Sequence, residues 1–251
     1  MAEIYKFNNL KLTKPHFSRG NVKLGHLVNW SLPARAVIID GKLYVICPGA
    51  TQWCRENCYA RKGHFTTLTN GVPRIQLLYA ENLKWSERDD FPDAAISAIR
   101  ERLWKNEKHL VRLHVSGDFY SVEYVNKWRE VIRRMPDVHF YAYTKSWRTN
   151  VHEGDVEDLK EYGITAAELN RRNGRIYAAL KTLKELPNFN LMISTDEYTG
   201  PPPASSREAG IERTWSPGGV LCNYQRNGIL CEKCTWCWNP RSRVNVYFAP
   251  H

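Results

Sequence analysis

The 251-residue chain holds no uninterrupted apolar segment of about eighteen residues, so nothing in it can cross a bilayer as a helix. Its opening, MAEIYKFNNLKLTK, has no apolar core of the kind a secretory signal carries, and the expectation is a cytoplasmic protein. A G-x4-G-K-S/T loop is missing, as is a G-x-G-x-x-G after a strand, which argues against nucleoside triphosphates and dinucleotides. No C-x2-C opens a helix in the thioredoxin manner, so thiol-redox or nucleophilic cysteine catalysis fares poorly. Internal repeats and low-complexity tracts are equally missing, and fibrous or disordered classes go with them.

What remains is ordinary globular usage, 43% hydrophobic and 25% charged, in a chain long enough for one large domain. Lys and Arg number 36 against 26 Asp and Glu, a net charge of +10. Residues 1–36 carry six basic and one acidic residue, and residues 207–251 carry six and three, so the excess sits at the two ends. That balance suits a polyanionic partner such as nucleic acid, and equally a basic surface with no such partner.

Seven cysteines, an odd number, do not suit a fully disulfide-paired secreted domain. They fall into two groups: Cys47, Cys54 and Cys58 in CPGATQWCRENCYA, and Cys222, Cys231, Cys234 and Cys237 in CNYQRNGILCEKCTWC. Closely spaced thiolates point to a soft metal centre. Four can complete a [4Fe–4S] cluster or a tetrahedral zinc ion, and the C-x2-C-x2-C run favours the cluster, because zinc sites usually arrive as two separated C-x2-C pairs. Three leave a coordination position open for chemistry, unless a residue such as His64 closes a structural zinc site.

Along the chain, residues 1–36 read as an irregular or partly paired N-terminal arm. AVIIDGKLYVICPG reads as a hairpin turning at Asp40-Gly41, with Cys47 delivered at the end of its second strand. Helical spacing covers 73–84, 91–107, 121–135 and about 166–186, and strand patterns appear in LVRLHVSGDF, VHFYAYTKS, FNLMISTDE and RVNVYFAP. Alternation of strands with helices predicts an α/β fold, a parallel sheet or partial (β/α) barrel over 37–200, followed after GPPPASS by a small cysteine-rich module at 201–251. Ligands in such sheets sit at the C-terminal ends of the strands. The residues expected there are Cys47, then Ser116, Gly117 and Asp118, then Thr144 and Lys145, then Ser194, Thr195, Asp196 and Glu197. Singly, Asp118 could be a helix cap and Thr195-Asp196 a turn.

A three-cysteine loop after a strand, with a Gly-Asp strand end further on, resembles the plan of radical S-adenosylmethionine enzymes, and more narrowly CP-A-C-CYA, HVSGDF, FYAYTKS and the terminal cysteines resemble the gene product 88 family of phage- and plasmid-associated proteins, over residues 35 to 240. The resemblance implies a partial barrel of that type. It further implies a site-differentiated [4Fe–4S] cluster on Cys47, Cys54 and Cys58, with an auxiliary cluster on Cys222, Cys231, Cys234 and Cys237. Ser116, Gly117, Asp118, Tyr59 and Thr144 would then face S-adenosylmethionine, while Lys145, Asp196 and Glu197 would face a substrate, and a reductant would be required. The spacing here, C-x6-C-x3-C with Tyr59 after the third cysteine, departs from the usual C-x3-C-x2-C with an aromatic before it. The alternative is a metal-stabilised nucleic-acid-binding or assembly protein, with both cysteine groups structural and aromatics such as Trp147 and Trp236 stacking on bases.

Overall fold

Three strand patterns, each followed or preceded by a helix with one apolar face, demand a sheet with helices laid along it, and the computed structural model has that arrangement. It describes residues 4–20, 22–69, 72–103, 109–204, 206–211 and 219–249. In chain order the elements begin with β1 (Tyr5–Phe7), β2 (Ser18–Arg19), β3 (Val28–Trp30), β4 (Ala36–Ile39), β5 (Lys42–Val45) and α1 (Gln52–Asn57). There follow β6 (Leu68–Thr69), β7 (Val72–Pro73), α2 (Arg74–Glu87), α3 (Phe91–Leu103), β8 (Leu110–Leu113), α4 (Val122–Arg133) and β9 (His139–Thr144). The last are α5 (Ala166–Lys184), β10 (Phe189–Thr195), β11 (Glu208–Ile211), β12 (Gly219–Leu221), α6 (Asn223–Asn227) and β13 (Asn245–Phe248). Residues 104–107 of the helix expected over 91–107 lie outside the described residues.

An eight-stranded sheet of order β12-β13-β11-β10-β9-β8-β3-β2 runs through the molecule. All its pairs are parallel except β2 with β3. Among the described residues it is not closed into a barrel. The side chains of one face, Val28, Trp30, Val111, Leu113, Phe140, Ala142, Phe189 and Leu191, share a core with α3, α4 and α5. Each helix is cut to that face. Ser121 caps α4 by accepting from the Tyr124 amide, and Tyr124, Val125, Trp128, Val131 and Ile132 then form one buried stripe. Trp30 donates to the Tyr124 hydroxyl at 2.8 Å and packs on Phe17, Phe91 and Trp128. Full burial of each such ring contributes about 2 to 3 kcal/mol.

Three features differ from the sequence expectation. The N-terminal arm takes the paired form and extends the sheet beyond the expected 37–200 body: it supplies β1, β2 and β3, and β3 pairs in parallel with β8. Strands of two or three residues carry too little periodicity to announce themselves. The hairpin forms as expected, with both Asp40 and Gly41 at positive φ, the type I′ requirement. It lies, however, in a separate sheet β1-β4-β5, so the first cysteine loop follows this hairpin and not the first strand of the parallel sheet. A turn signal fixes which strands pair locally and says nothing of which sheet they join. Finally, the region expected as a separate module contributes β11, β12 and β13 to the main sheet. Its cysteines cover the face opposite the helices: Cys231, Cys237 and Trp238 pack on Tyr141 and Leu110, while Cys222 and Trp236 pack on Met192 and Val246.

Candidate functional site

The loop after β5 is pinned at both ends. Gly49 passes so close to the next loop that a Cβ there would stand 1.9 Å from the Lys145 carbonyl oxygen, which only glycine avoids. Thr51 caps α1 by accepting from the Cys54 amide at 2.9 Å, and its hydroxyl donates to Asp196 Oδ2 at 2.8 Å. Asp155 accepts from the Gln52 amide at 2.6 Å and pairs with Arg148 at 3.0 Å, while Arg148 also donates to the Gly49 carbonyl. Arg35 forks onto Asp158 at 2.7 and 3.0 Å, and its own amide donates to Cys47 Sγ at 3.3 Å. Arg55, on α1, reaches the same Asp158 at 3.4 Å. All of these but Arg55 are nearly enclosed side chains, so the loop is held by hydrogen bonds stronger than their exposed equivalents.

The three thiols share one electrostatic environment. Burial pushes the Cys47 thiol well up, and the fields of Asp118, Cys54 and Cys58 add to it. Cys54 is raised by burial against the pull of Lys145. Cys58 is pushed up to about 11 by burial and by Cys54. As free thiols they are protonated at neutral pH, so a metal bound there would displace their protons.

Facing them are the strand ends expected from the sequence. Asp118 accepts from Thr144 Oγ1 at 2.6 Å, from the Lys145 amide at 2.8 Å and from the Phe119 amide at 2.7 Å. Even so, burial pushes its carboxyl up to about 6. Gly117 has φ +80°, and a Cβ on it would meet Leu32 Cβ at 2.6 Å. Ser116 Oγ is enclosed without a hydrogen-bond partner. Lys145 Nζ lies 3.1 Å from Ser194 Oγ and 3.4 Å from Asp196 Oδ2. Cys47, Cys54, Cys58, Asp118, Thr144, Lys145 and Asp196 are thus brought together. Glu197 is exposed on the turn that Asp196 and Thr199 close. Tyr59 is 49% exposed, its ring edge-on to Phe65, and it lies in the field of Arg112 and Cys58. His64 is exposed against the Phe65 ring, 4.1 Å between centroids.

The second group gathers on the inner face of the sheet. Cys237, pushed up to about 12 by burial, lies in the fields of Cys231, Cys234 and Cys222 and receives a hydrogen bond from Tyr143. Cys231 is anchored through its amide to the Lys23 carbonyl at 3.0 Å, and Asn223 Nδ2 approaches Cys234 Sγ at 3.8 Å. Among the described residues no three His, Cys, Asp or Glu side chains stand as a ready site for one metal ion. Sequence reasoning missed the carboxylates and guanidiniums that clamp the first loop, since Asp155 and Asp158 sit over a hundred positions from it. It also missed Arg112, whose signal was a lone charge inside the apolar run LVRLHV.

The fold and site define a mixed α/β protein with two gathered thiol groups, one at the C-terminal edge of a parallel sheet and one on its inner face. The chain belongs to the Gene product 88 family, whose model matches residues 3–240 and so takes in the N-terminal strands as well as the cysteines. It is 30% identical over 170 residues to the Gene 88 protein of Mycobacterium phage L5, a match covering 64% of this chain and 67% of that protein. The Gene 88 protein of Mycobacterium phage D29 is 30% identical over 151 residues, covering 58% of this chain and 59% of that one. No solved structure matches. Among the described residues no helix is long and apolar enough to cross a membrane.

Proposed function

We propose that the chain is an iron–sulfur protein organised like a radical S-adenosylmethionine enzyme, with one cluster on Cys47, Cys54 and Cys58 and a second on Cys222, Cys231, Cys234 and Cys237. The observation that carries this reading is the gathering of both thiol groups, each within its own shared field, from positions spread over 12 and 16 residues of sequence. The donor chemistry suits the groups, three soft ligands leaving a position open and four closing the site, and binding would draw together thiols that do not stand as a ready site among the described residues. The sheet supports the same reading, since its strands follow chain order from β3 to β11 with helices packed on one face, the plan of an open partial barrel.

Cys47, Cys54 and Cys58 would hold such a cluster, which would supply single-electron reduction of a bound sulfonium cofactor. The remaining work falls to the chain's own groups. Asp118, fixed by three donors, offers a carboxylate to a cationic amino group, and its enclosure makes such a pairing strong. Ser116 Oγ, enclosed without a partner beside it, is free to bond the same ligand. Lys145, steadied by Ser194 and Asp196, holds a positive charge in the field of Cys54 and Cys58, which favours electron-rich thiolates there. Pro48 and Gly49 keep the loop close against the Lys145 backbone, which limits water between them.

Iron, sulfide and zinc analysis of protein prepared without oxygen, with an ultraviolet-visible spectrum, tests the reading. Broad absorption near 400 nm with about eight irons per chain is the expected result. Substituting Cys54→Ala should remove about half of the iron and leave the rest. Zinc at both sites with no iron after anaerobic reconstitution would instead support a metal-stabilised scaffold of the nucleic-acid-binding kind.

A further inference from the structure

Arg112 lies in the middle of β8, and register places it beside Asn29 of β3 and Tyr141 of β9 on the inner face of the sheet. A guanidinium carries five donors that in a protein interior find acceptors, because leaving them unmade costs the full desolvation of a charge. This one makes no hydrogen bond and no ion pair with any described residue, and its Nε is enclosed without a partner. The rest of the side chain is part-buried, so its terminal nitrogens are open to the space over the sheet. The groups nearest it electrostatically are Tyr141, Tyr143, Tyr59 and Cys231, none of them a carboxylate. Burial raises the hydroxyls of Tyr141 and Tyr143, so both stay neutral and cannot balance the charge. The Tyr143 ring lies under the guanidinium, 4.9 Å from its carbon to the centroid, which orients the fork and leaves its edge free. Tyr59 adjoins the first thiol group and Cys231 belongs to the second, so Arg112 stands between them.

We propose that Arg112 binds the oxyanion, carboxylate or phosphate, of a small molecule held against the inner face of the sheet between the two thiol groups. A planar carboxylate or a phosphate accepts two parallel N–H bonds from the guanidinium edge, a geometry that water or a neutral ligand cannot match. The proposal goes beyond the iron–sulfur reading, because the acceptor it names is a small molecule and not a thiolate of either cysteine group.

Melting temperature tests it, measured at pH 7 and fixed ionic strength with chloride replaced stepwise by phosphate or by acetate, in native protein, Arg112→Gln and Arg112→Lys. Phosphate raises the melting temperature of most proteins by exclusion, so the readout is the saturable part of the rise and its difference between native and variant. The native protein should gain about 3 °C or more, saturating in the millimolar range, with phosphate, acetate or both, and the two salts separate the phosphate from the carboxylate source. Arg112→Gln should lose that gain and, in chloride alone, melt no lower than native, since an unpaired cation has been removed. Arg112→Lys should keep part of the gain, which holds the test open if the glutamine variant fails to fold. Equal gains in native and Arg112→Gln, or no saturable gain in native protein, would overturn the proposal. So would a glutamine variant that loses iron or zinc from the four-cysteine group while the salt responses stay unchanged, because Arg112 would then be the counter-charge of that group. Metal content of the same samples keeps a failure of the iron–sulfur reading distinct from a failure here.

Discussion

His114 shows how one enclosed group can couple folding to pH. Its Nε2 shares a hydrogen bond with the Tyr124 hydroxyl at 2.9 Å, its Nδ1 has no partner, and burial, with Arg112 adding to it, lowers its pKa to about 3. An unfolded chain takes up this proton below about pH 6.5 and the folded chain does not until about pH 3, so stability is untouched above 6.5 and falls as pH drops through that window. At pH 5 the loss is about 2 kcal/mol. Asp118, raised to about 6, contributes a slope of the opposite sign over part of the range. The measurement is therefore the difference between native and His114→Gln in urea midpoints at pH 7.5 and 5.0, from which Asp118 cancels; no difference in slope would refute the assignment. Two glycines give a second contrast. Gly49→Ala forces a Cβ into the Lys145 carbonyl, whereas a Cβ at Gly174 meets only Thr149 Cγ2 at 3.8 Å inside α5. Gly49→Ala should speed the reaction of the first three thiols with a disulfide reagent by tenfold or more, while Gly174→Ala should raise stability by about 0.5 to 1 kcal/mol. Residues of this kind were only half legible beforehand. Ser116, Asp118, Thr144 and Lys145 showed in the sequence because each ends a strong strand pattern, but the close approach at Gly49 depends on a loop 96 positions away.

The elements that hold the first cysteine loop were the least visible. The segment Glu153–Tyr162 looks like a polar linker, yet it presents Asp155 and Asp158 to three arginines from two other parts of the chain. Patterns of apolar spacing report which face of a helix is buried; they carry no trace of an ion pair whose partners are far apart in sequence. Arg148 is fully enclosed, so removing its partner leaves a charge without compensation. Asp155→Leu should cost about 3 to 5 kcal/mol, and adding Arg148→Met should recover a large part of it. Denaturant midpoints of the two single variants and the double variant give the coupling; simple additivity would show that the pair is not the element's anchor. The Asp40-Gly41 hairpin lies at the other extreme, since a two-residue loop with both residues at positive φ is written into the dipeptide itself.

Across the chain, the strand-helix-strand middle was legible because long periodic helices and the strands between them announce both type and neighbours; of the short strands at the two ends, β13 in RVNVYFAP showed beforehand while β1, β2, β3, β11 and β12 did not show individually. The sheet places β13 between β11 and β12, both of which precede it in sequence. Val246 of β13, 1% exposed, shares its core with Cys222 and Cys237. Val246→Asp should free the four thiols of the second group to rapid alkylation while those at Cys47, Cys54 and Cys58 keep their protection, as read by mass spectrometry of labelled peptides; equal exposure of both groups would mean that they are not independent. The order of strands also sets an order of events. A chain emerging from the ribosome can pair β3, β8, β9, β10 and β11 one after another, but β12 has to wait for a segment made some two dozen residues later to slot in beside it. Every cysteine of the second group is translated before that segment, so the quartet is delivered early and locked late, and a message stopped between Cys237 and Asn245 should yield a chain with the first thiol group gathered and the second unfastened.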